Sequence, residues 1–104
     1  MKRITLICSA GMSTSLLVAK MNTAAVKLGA DVKITAAAET EFMDYVDETD
    51  VFLIGPQVRF LLNRMKAVCG PKGIPVDVIN SVDFGLIDGE KVLNQALDML
   101  GTKE

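Results

Sequence analysis

Histidine and tryptophan are absent from the 104 residues, and there is a single tyrosine. Without histidine the chain lacks the commonest general base, the usual zinc ligand and any histidine-borne phosphoryl group. Cysteine occurs twice, as Cys8 and Cys69, and never as C-x-x-C, so a thioredoxin-type redox site has no support. In a reducing compartment such a pair reads as a thiol and a core residue rather than a disulfide. The net charge is only −2, and Lys and Arg are scattered without a basic run or interleaved aromatics, which excludes nucleic acid as a partner. No apolar stretch approaches the roughly 20 residues of a membrane span, so no direct membrane insertion is expected. Met1-Lys2-Arg3 leads straight into the short run Ile4 to Cys8, too brief for a secretory signal, and a cytoplasmic location is expected. Neither G-x-G-x-x-G nor G-x-x-x-x-G-K-[ST] occurs, which removes the two common nucleotide-binding loops.

Half of the residues are apolar, enough for one domain over residues 1–104 to bury a core without disulfides or metals. Short β-like apolar runs alternate with helical patterns, the signature of an α/β fold with a parallel sheet. Strands are expected at Ile4–Cys8, Val32–Ala36, Val51–Ile54 and Val76–Ile79, all rich in branched residues. The first helix starts at Ser13 or Thr14, either of which can cap it, buries Leu17, Met21, Ala24, Ala25 and Leu28, and stops at Gly29. A short helix over Glu41–Asp47 has only Phe42, Met43 and Val46 as its apolar face. A third, with Pro56 near its start and Gly70 beyond its end, buries Val58, Leu61, Leu62, Met65, Val68 and Cys69. The last runs over Gly89–Leu100, capped by Asp88, buried through Val92, Leu93, Ala96, Leu97 and Leu100, and closed by Gly101.

Strands covered on both faces read as continuous apolar runs, whereas edges admit polar residues. Val51 to Ile54 has no polar residue and Ile4 to Ile7 only Thr5, so these two are central; Lys33, Thr35 and Asp77 mark the others as edges. Right-handed crossovers then favour the order 2-1-3-4. Open α/β sheets bind ligands beyond the carboxyl ends of the strands where the winding reverses, here between strands one and three. The loops meeting there are Cys8 to Ser15 and Gly55-Pro56-Gln57.

The first loop places Cys8 at the end of a central strand, then Ser9, Ala10, Gly11, Met12, Ser13, Thr14 and Ser15, and then a helix. Small residues let successive amide N–H groups aim at one anion, and a helix N-terminus adds partial positive charge. The same field is expected to stabilise a thiolate, lowering its pKa from ~8.5 into a range of roughly 3.5 to 7.5. A phosphoryl group on sulfur would lie in that cradle, whose donors also suit the charge of a transferring phosphoryl. A strand-end cysteine alone equally suits a small buried hydrophobe, the default for Cys69 on its helical stripe. The serine- and glycine-rich loop that follows Cys8 sets it apart. A cysteine phosphatase of the low-molecular-weight tyrosine phosphatase type shares the strand–loop–helix design but needs C-x5-R, and Thr14 occupies the arginine position. Without the guanidinium, hydrolysis is less well supported, which suits a carrier. A free-standing phosphatase and a non-catalytic anion-binding module remain the alternatives.

The run Ile4 to Leu17, ITLICSAGMSTSLL, resembles the start of the enzyme IIB components of the lactose/cellobiose (chitobiose) class of the bacterial sugar phosphotransferase system. Gly55-Pro56-Gln57 and Gly85-Leu86-Ile87-Asp88-Gly89 fit the same pattern in order and spacing. The resemblance implies a three-layer, flavodoxin-like fold and a relay. A phosphohistidine on a IIA protein phosphorylates Cys8, and a membrane IIC permease presents the sugar, a β-linked disaccharide such as cellobiose, lactose or chitobiose. It implies no cofactor and no metal, a phosphate loop over Ser9–Ser15, and gives no reason to expect more than a monomer. Gln57 either hydrogen-bonds the phosphoryl or caps the third helix. Met12, the one large residue of the loop, is a candidate partner contact. Phe84 stands where family members often carry tyrosine, and a ring packed beneath the last loop is its simplest reading.

Overall fold

The computed structural model describes residues 1–9 and 12–101, with backbone alone for Met12 and Ser13. Strands β1 (Lys2–Cys8), β2 (Val32–Ala38), β3 (Val51–Ile54) and β4 (Val76–Val78) form one parallel sheet in the order β2-β1-β3-β4. The helices are α1 (Met12–Leu28), α2 (Phe42–Tyr45), α3 (Leu62–Cys69), α4 (Ser81–Gly85) and α5 (Gly89–Leu100). The expected order of strands therefore holds, with β1 and β3 central.

Alternation along the two central strands sends side chains to opposite faces. Ile4, Leu6, Val51 and Leu53 enter a core with Leu17, Met21, Ala24 and Ala25 of α1 and Val92, Leu93 and Ala96 of α5. Ile7, Phe52 and Ile54 enter a second core with Phe42, Val46, Val58, Met65 and Cys69. Cys69 is fully enclosed there, and Phe42 meets Phe52 edge to face with ring centroids 5.1 Å apart. The one buried polar residue of β1, Thr5, is accommodated in that second layer. The Thr5 hydroxyl donates to Thr49 Oγ1 at 2.7 Å, and Thr49 in turn donates to the Tyr45 carbonyl at 2.7 Å.

Gly89, the first residue of α5, is where α1 and α5 touch backbone to backbone. A Cβ there would fall 2.4 Å from the Lys20 carbonyl carbon and 2.6 Å from the Met21 nitrogen. Asp88 caps α5 by accepting from the Lys91 N–H at 3.1 Å, and Gly101 closes it at φ 70. Gln95 of α5 reaches back to the sheet, donating to the Val78 carbonyl at 2.8 Å and accepting from the Asn80 N–H at 3.2 Å.

Several expectations are corrected. α1 starts at Met12, ahead of Ser13 and Thr14, and Leu28 is half exposed because the last turn runs beyond its covering partners. The expected helix over 41–47 is a string of short turns, 3-10 at Glu39–Glu41, then α2, then 3-10 at Val46–Glu48; Phe42 and Val46 are buried and Met43 is exposed. The third helix opens as a 3-10 segment, Pro56–Leu61, broken at Val58 (φ −120, ψ 28), before α3 begins. The end of α3 is as expected, at Cys69 with Gly70 just beyond it; Gly70 is itself right-handed, and the left-handed residue of the turn that follows is Gly73 (φ 73). Ile79 lies just outside β4, although its N–H still bonds the Ile54 carbonyl at 2.8 Å. Helix α4 was not anticipated, being too short to show a period; its signal was Asn80, whose side chain accepts from the Val82 and Asp83 N–H groups.

Candidate functional site

Cys8 is the last residue of β1, opposite Ala38 of β2, and shares the parity of Ile4 and Leu6. Its side chain therefore leaves the sheet on the α1 side. There the buried Thr14 hydroxyl hydrogen-bonds the sulfur, and the Gly55 amide, which donates to the Ile7 carbonyl at 2.8 Å, lies beside it. Met12, Ser13 and Thr14 form the first turn of α1, whose N–H groups have no acceptor within the helix. Helix N-terminus and sulfur thus meet at the switch point between β1 and β3.

Gly55 is glycine for want of space. Its φ of −61 suits any residue, but a Cβ would stand 3.0 Å from Cys8 Sγ, 3.3 Å from Gln57 Oε1 and 3.5 Å from the Ile7 carbonyl oxygen. The sulfur and the Gln57 amide consequently flank the same backbone atom. The alternative in which Gln57 caps the third helix is overturned, because Gly55 holds the N-cap position and no side chain caps that end.

Ser9 is exposed just beyond the sulfur, and Ser15 is exposed on the outer side of α1. Ala10 and Gly11 lie outside the described residues, as do the side chains of Met12 and Ser13. Of the expected phosphate-loop residues, the structure brings the Thr14 hydroxyl to the sulfur and places the Gln57 amide beside the same Gly55 carbon that the sulfur crowds.

The expected direction of the Cys8 ionisation is corrected. Cys8 is only 5% exposed at the end of a fully buried strand, and burial pushes its thiol up. The Thr14 hydroxyl and the Gly55 amide pull the other way and lose. Burial of the sulfur thus favours the neutral thiol over the thiolate. Thr14, at the place an arginine holds in C-x5-R phosphatases, spends its hydroxyl on the sulfur and brings no charge.

Beyond the ends of β3 and β4 lies a groove of about 550 Å³, lined by Pro56, Gln57, Arg59, Phe60, Ser81, Phe84 and Gly85. Phe84 is half-buried, one side against the α1/α5 core and the other on this groove. Arg59, Phe60 and Ser81 were not anticipated as site residues. The groove joins two segments far apart in sequence, and its one local signal was an aromatic, Phe60, standing off the buried stripe of its helix.

Residues 3–95 match the family of lactose/cellobiose-specific IIB subunits of the phosphotransferase system. The chain is 39% identical over 100 residues to the oligo-beta-mannoside-specific EIIB component of Bacillus subtilis (strain 168), covering 96% of this chain and 97% of that one. It is 40% identical over 104 residues to the galactose-specific EIIB component of Lactococcus lactis subsp. cremoris (strain MG1363), covering 95% and 96%. The solution structure of a cellobiose-specific phosphotransferase IIB component from Borrelia burgdorferi superposes with a TM-score of 0.79 at 42% identity, covering 99% of this chain and 94% of the other. With matches spanning nearly the whole chain and a flavodoxin-like parallel sheet, the chain belongs to the lactose/cellobiose-specific IIB family of the sugar phosphotransferase system.

Proposed function

We propose that Cys8 is the phosphoryl-bearing residue of this phosphotransferase, loaded by a phosphohistidine on a IIA protein and unloaded onto a sugar held by a membrane IIC permease. The observation that carries this reading is the position of the sulfur, at the end of the central strand, facing the first turn of α1 and touched by the Thr14 hydroxyl. Loading breaks the donor's N–P bond and forms an S–P bond. The proton of the neutral thiol passes to the departing imidazole nitrogen, so the protonated resting state matches what the leaving group needs. Once formed, the phosphoryl is held by the α1 N–H groups and by the amide of Gln57, turned to present Nε2. Ser9 to Ser15 complete the cradle.

Burial of the sulfur and the missing arginine both favour a carrier over a phosphatase, because neither helps water to attack the phosphorus. The sugar is a β-linked disaccharide in this reading. Relatives of nearly equal identity are named for oligo-beta-mannoside and for galactose, which fits a specificity set by the permease. No helix among the described residues is long and apolar enough to cross a membrane, in keeping with a partner that supplies the membrane step.

Mass spectrometry after incubation with a phosphorylated IIA protein tests the assignment. A lasting single phosphoryl adduct, mapped to Cys8 and missing in Cys8→Ser, is expected. Release of free phosphate would point to a phosphatase, and neither product to an anion-binding module.

A further inference from the structure

Two helices of this chain end in the same turn with different residues at its centre. At the end of α1 the Gly29 N–H donates to the Val26 carbonyl at 3.2 Å and the Ala30 N–H to the Ala25 carbonyl at 2.9 Å. At the end of α4 the Ile87 N–H donates to the Phe84 carbonyl at 3.1 Å and the Asp88 N–H to the Asp83 carbonyl at 2.9 Å. Both are Schellman closures, whose crossing residue is left-handed and ordinarily glycine. Gly29 obeys this rule at φ 69; Ile87, at φ 52, is the one described residue other than glycine with a positive φ. A β-branched side chain is a genuine outlier there. Burial alone does not account for it, since Ile87 is only partly buried and glycine would hold the same backbone without strain. What isoleucine adds is a side chain packed against the core that α1 shares with α5.

The turn also grips α1 directly. The Gly89 N–H closes on the Ile87 carbonyl at 3.1 Å, and Gly89 lies so near α1 that a Cβ would fall 2.4 Å from Lys20 and 2.6 Å from Met21 backbone atoms. Met21, Leu17 and Thr14 are buried in succession along one face of α1. About two turns, roughly 10 Å of helix, therefore separate this grip from the hydroxyl that bonds the Cys8 sulfur. We infer that Ile87 is a positioning residue for the chemistry of Cys8: its left-handed turn and its side chain fix α1 along its axis and so hold the Thr14 hydroxyl on the sulfur. The inference rests on the Cys8 reading and deepens it by naming a residue outside the loop that sets where the loop's helix begins. Glycine at this position would pass freely between hands and let the α4–α5 connection relax, with α1 following. Isoleucine has only a narrow left-handed well, and the surrounding contacts keep it there.

The test follows two reactions of Cys8 in the wild-type chain, Ile87→Gly, Ile87→Val, Thr14→Val and the Thr14→Val/Ile87→Gly double variant. Leu100→Ala is the control, removing apolar bulk from the same core at the far end of α5. Alkylation by iodoacetate at neutral pH is expected to slow by about threefold in Ile87→Gly and by less than about 1.5-fold in Ile87→Val and Leu100→Ala. The double variant is expected to react no more slowly than Thr14→Val, because a hydroxyl that is gone cannot be misplaced. With saturating phosphorylated IIA protein, loading of Ile87→Gly is expected to slow by about tenfold, with the half-saturating donor concentration unchanged. Should Ile87→Gly melt out, Ile87→Asn repeats the comparison, since asparagine tolerates the left-handed region. Unchanged alkylation in Ile87→Gly overturns the inference, and so do additive effects of the Thr14 and Ile87 substitutions. Faster alkylation also overturns it, because the turn would then be a shield over the sulfur. If alkylation behaves as expected but the wild-type chain acquires no phosphoryl adduct, the positioning stands and the Cys8 reading fails, so the two failures are distinguished.

Discussion

Gly55→Ala tests the geometry on which the site depends. The new methyl would lie 3.0 Å from Cys8 Sγ and 3.3 Å from Gln57 Oε1, whereas packed heavy atoms prefer roughly 3.5–4.0 Å. The backbone itself accepts alanine, since φ is −61 and ψ 143, so the cost is purely one of crowding. Overpacking of this kind costs about 1–3 kcal/mol, and the smaller entropy of the unfolded alanine chain offsets roughly 0.4–1 of it. A net loss of about 1–2 kcal/mol lowers the melting temperature of a chain this size by roughly 5–15 °C. The sulfur or the Gln57 amide must also move by several tenths of an ångström, and misplacement on that scale slows transfer by about tenfold or more. Gly70→Ala is the matched control: it is helical at φ −53, nothing stands within 4 Å of its would-be Cβ, and it should melt no lower than wild type. Thermal melts by circular dichroism and the time course of Cys8 phosphorylation read both effects. If Gly55→Ala melts within about 2 °C of wild type and loads at the same rate, the crowding at this carbon does not exist.

Gly89→Ala drives a carbon to 2.4 Å from the Lys20 backbone, where no side-chain rotation gives relief, and α1 must separate from α5. A loss at or above the top of the roughly 1–3 kcal/mol overpacking range is expected in urea denaturation, and wild-type stability would refute the contact. The raised Cys8 thiol predicts that carboxymethylation by iodoacetate keeps accelerating as pH rises beyond about 8.5, where an ordinary cysteine levels off. Thr14→Val, which removes a hydrogen bond favouring the thiolate, should slow the reaction further at neutral pH; a plateau below about pH 7 in the wild-type chain would reverse the assignment of burial as the dominant influence.

The strands and their order were legible because β1 and β3 are buried on both faces and read as unbroken apolar runs, while Lys33, Thr35 and Asp77 betray the edges. Gly29, Asp88 and Gly101 marked helix ends by local chemistry alone. Periodicity said less about the segments near the site. Met43 and Leu28 fit an apolar stripe on paper but lie where no neighbour covers them, and the turn at Val58 depends on how Gly55 and Pro56 enter the helix. α4, at five residues, is shorter than any period can reveal. At the site, composition pointed to Cys8 and the loop. The direction of the thiol's ionisation was misjudged, because desolvation depends on what surrounds the sulfur in three dimensions. The groove of Arg59 and Phe84 was invisible for the same reason.

Cys69 is the only other thiol, and it is wholly enclosed between α3 and the sheet. In Cys8→Ser protein, whose phosphoryl acceptor is gone, that sulfur becomes a silent internal reporter. A thiol reagent reaches it only when the second core opens, so the labelling rate would clock the rarest and largest breathing motions of the chain without any probe having been introduced.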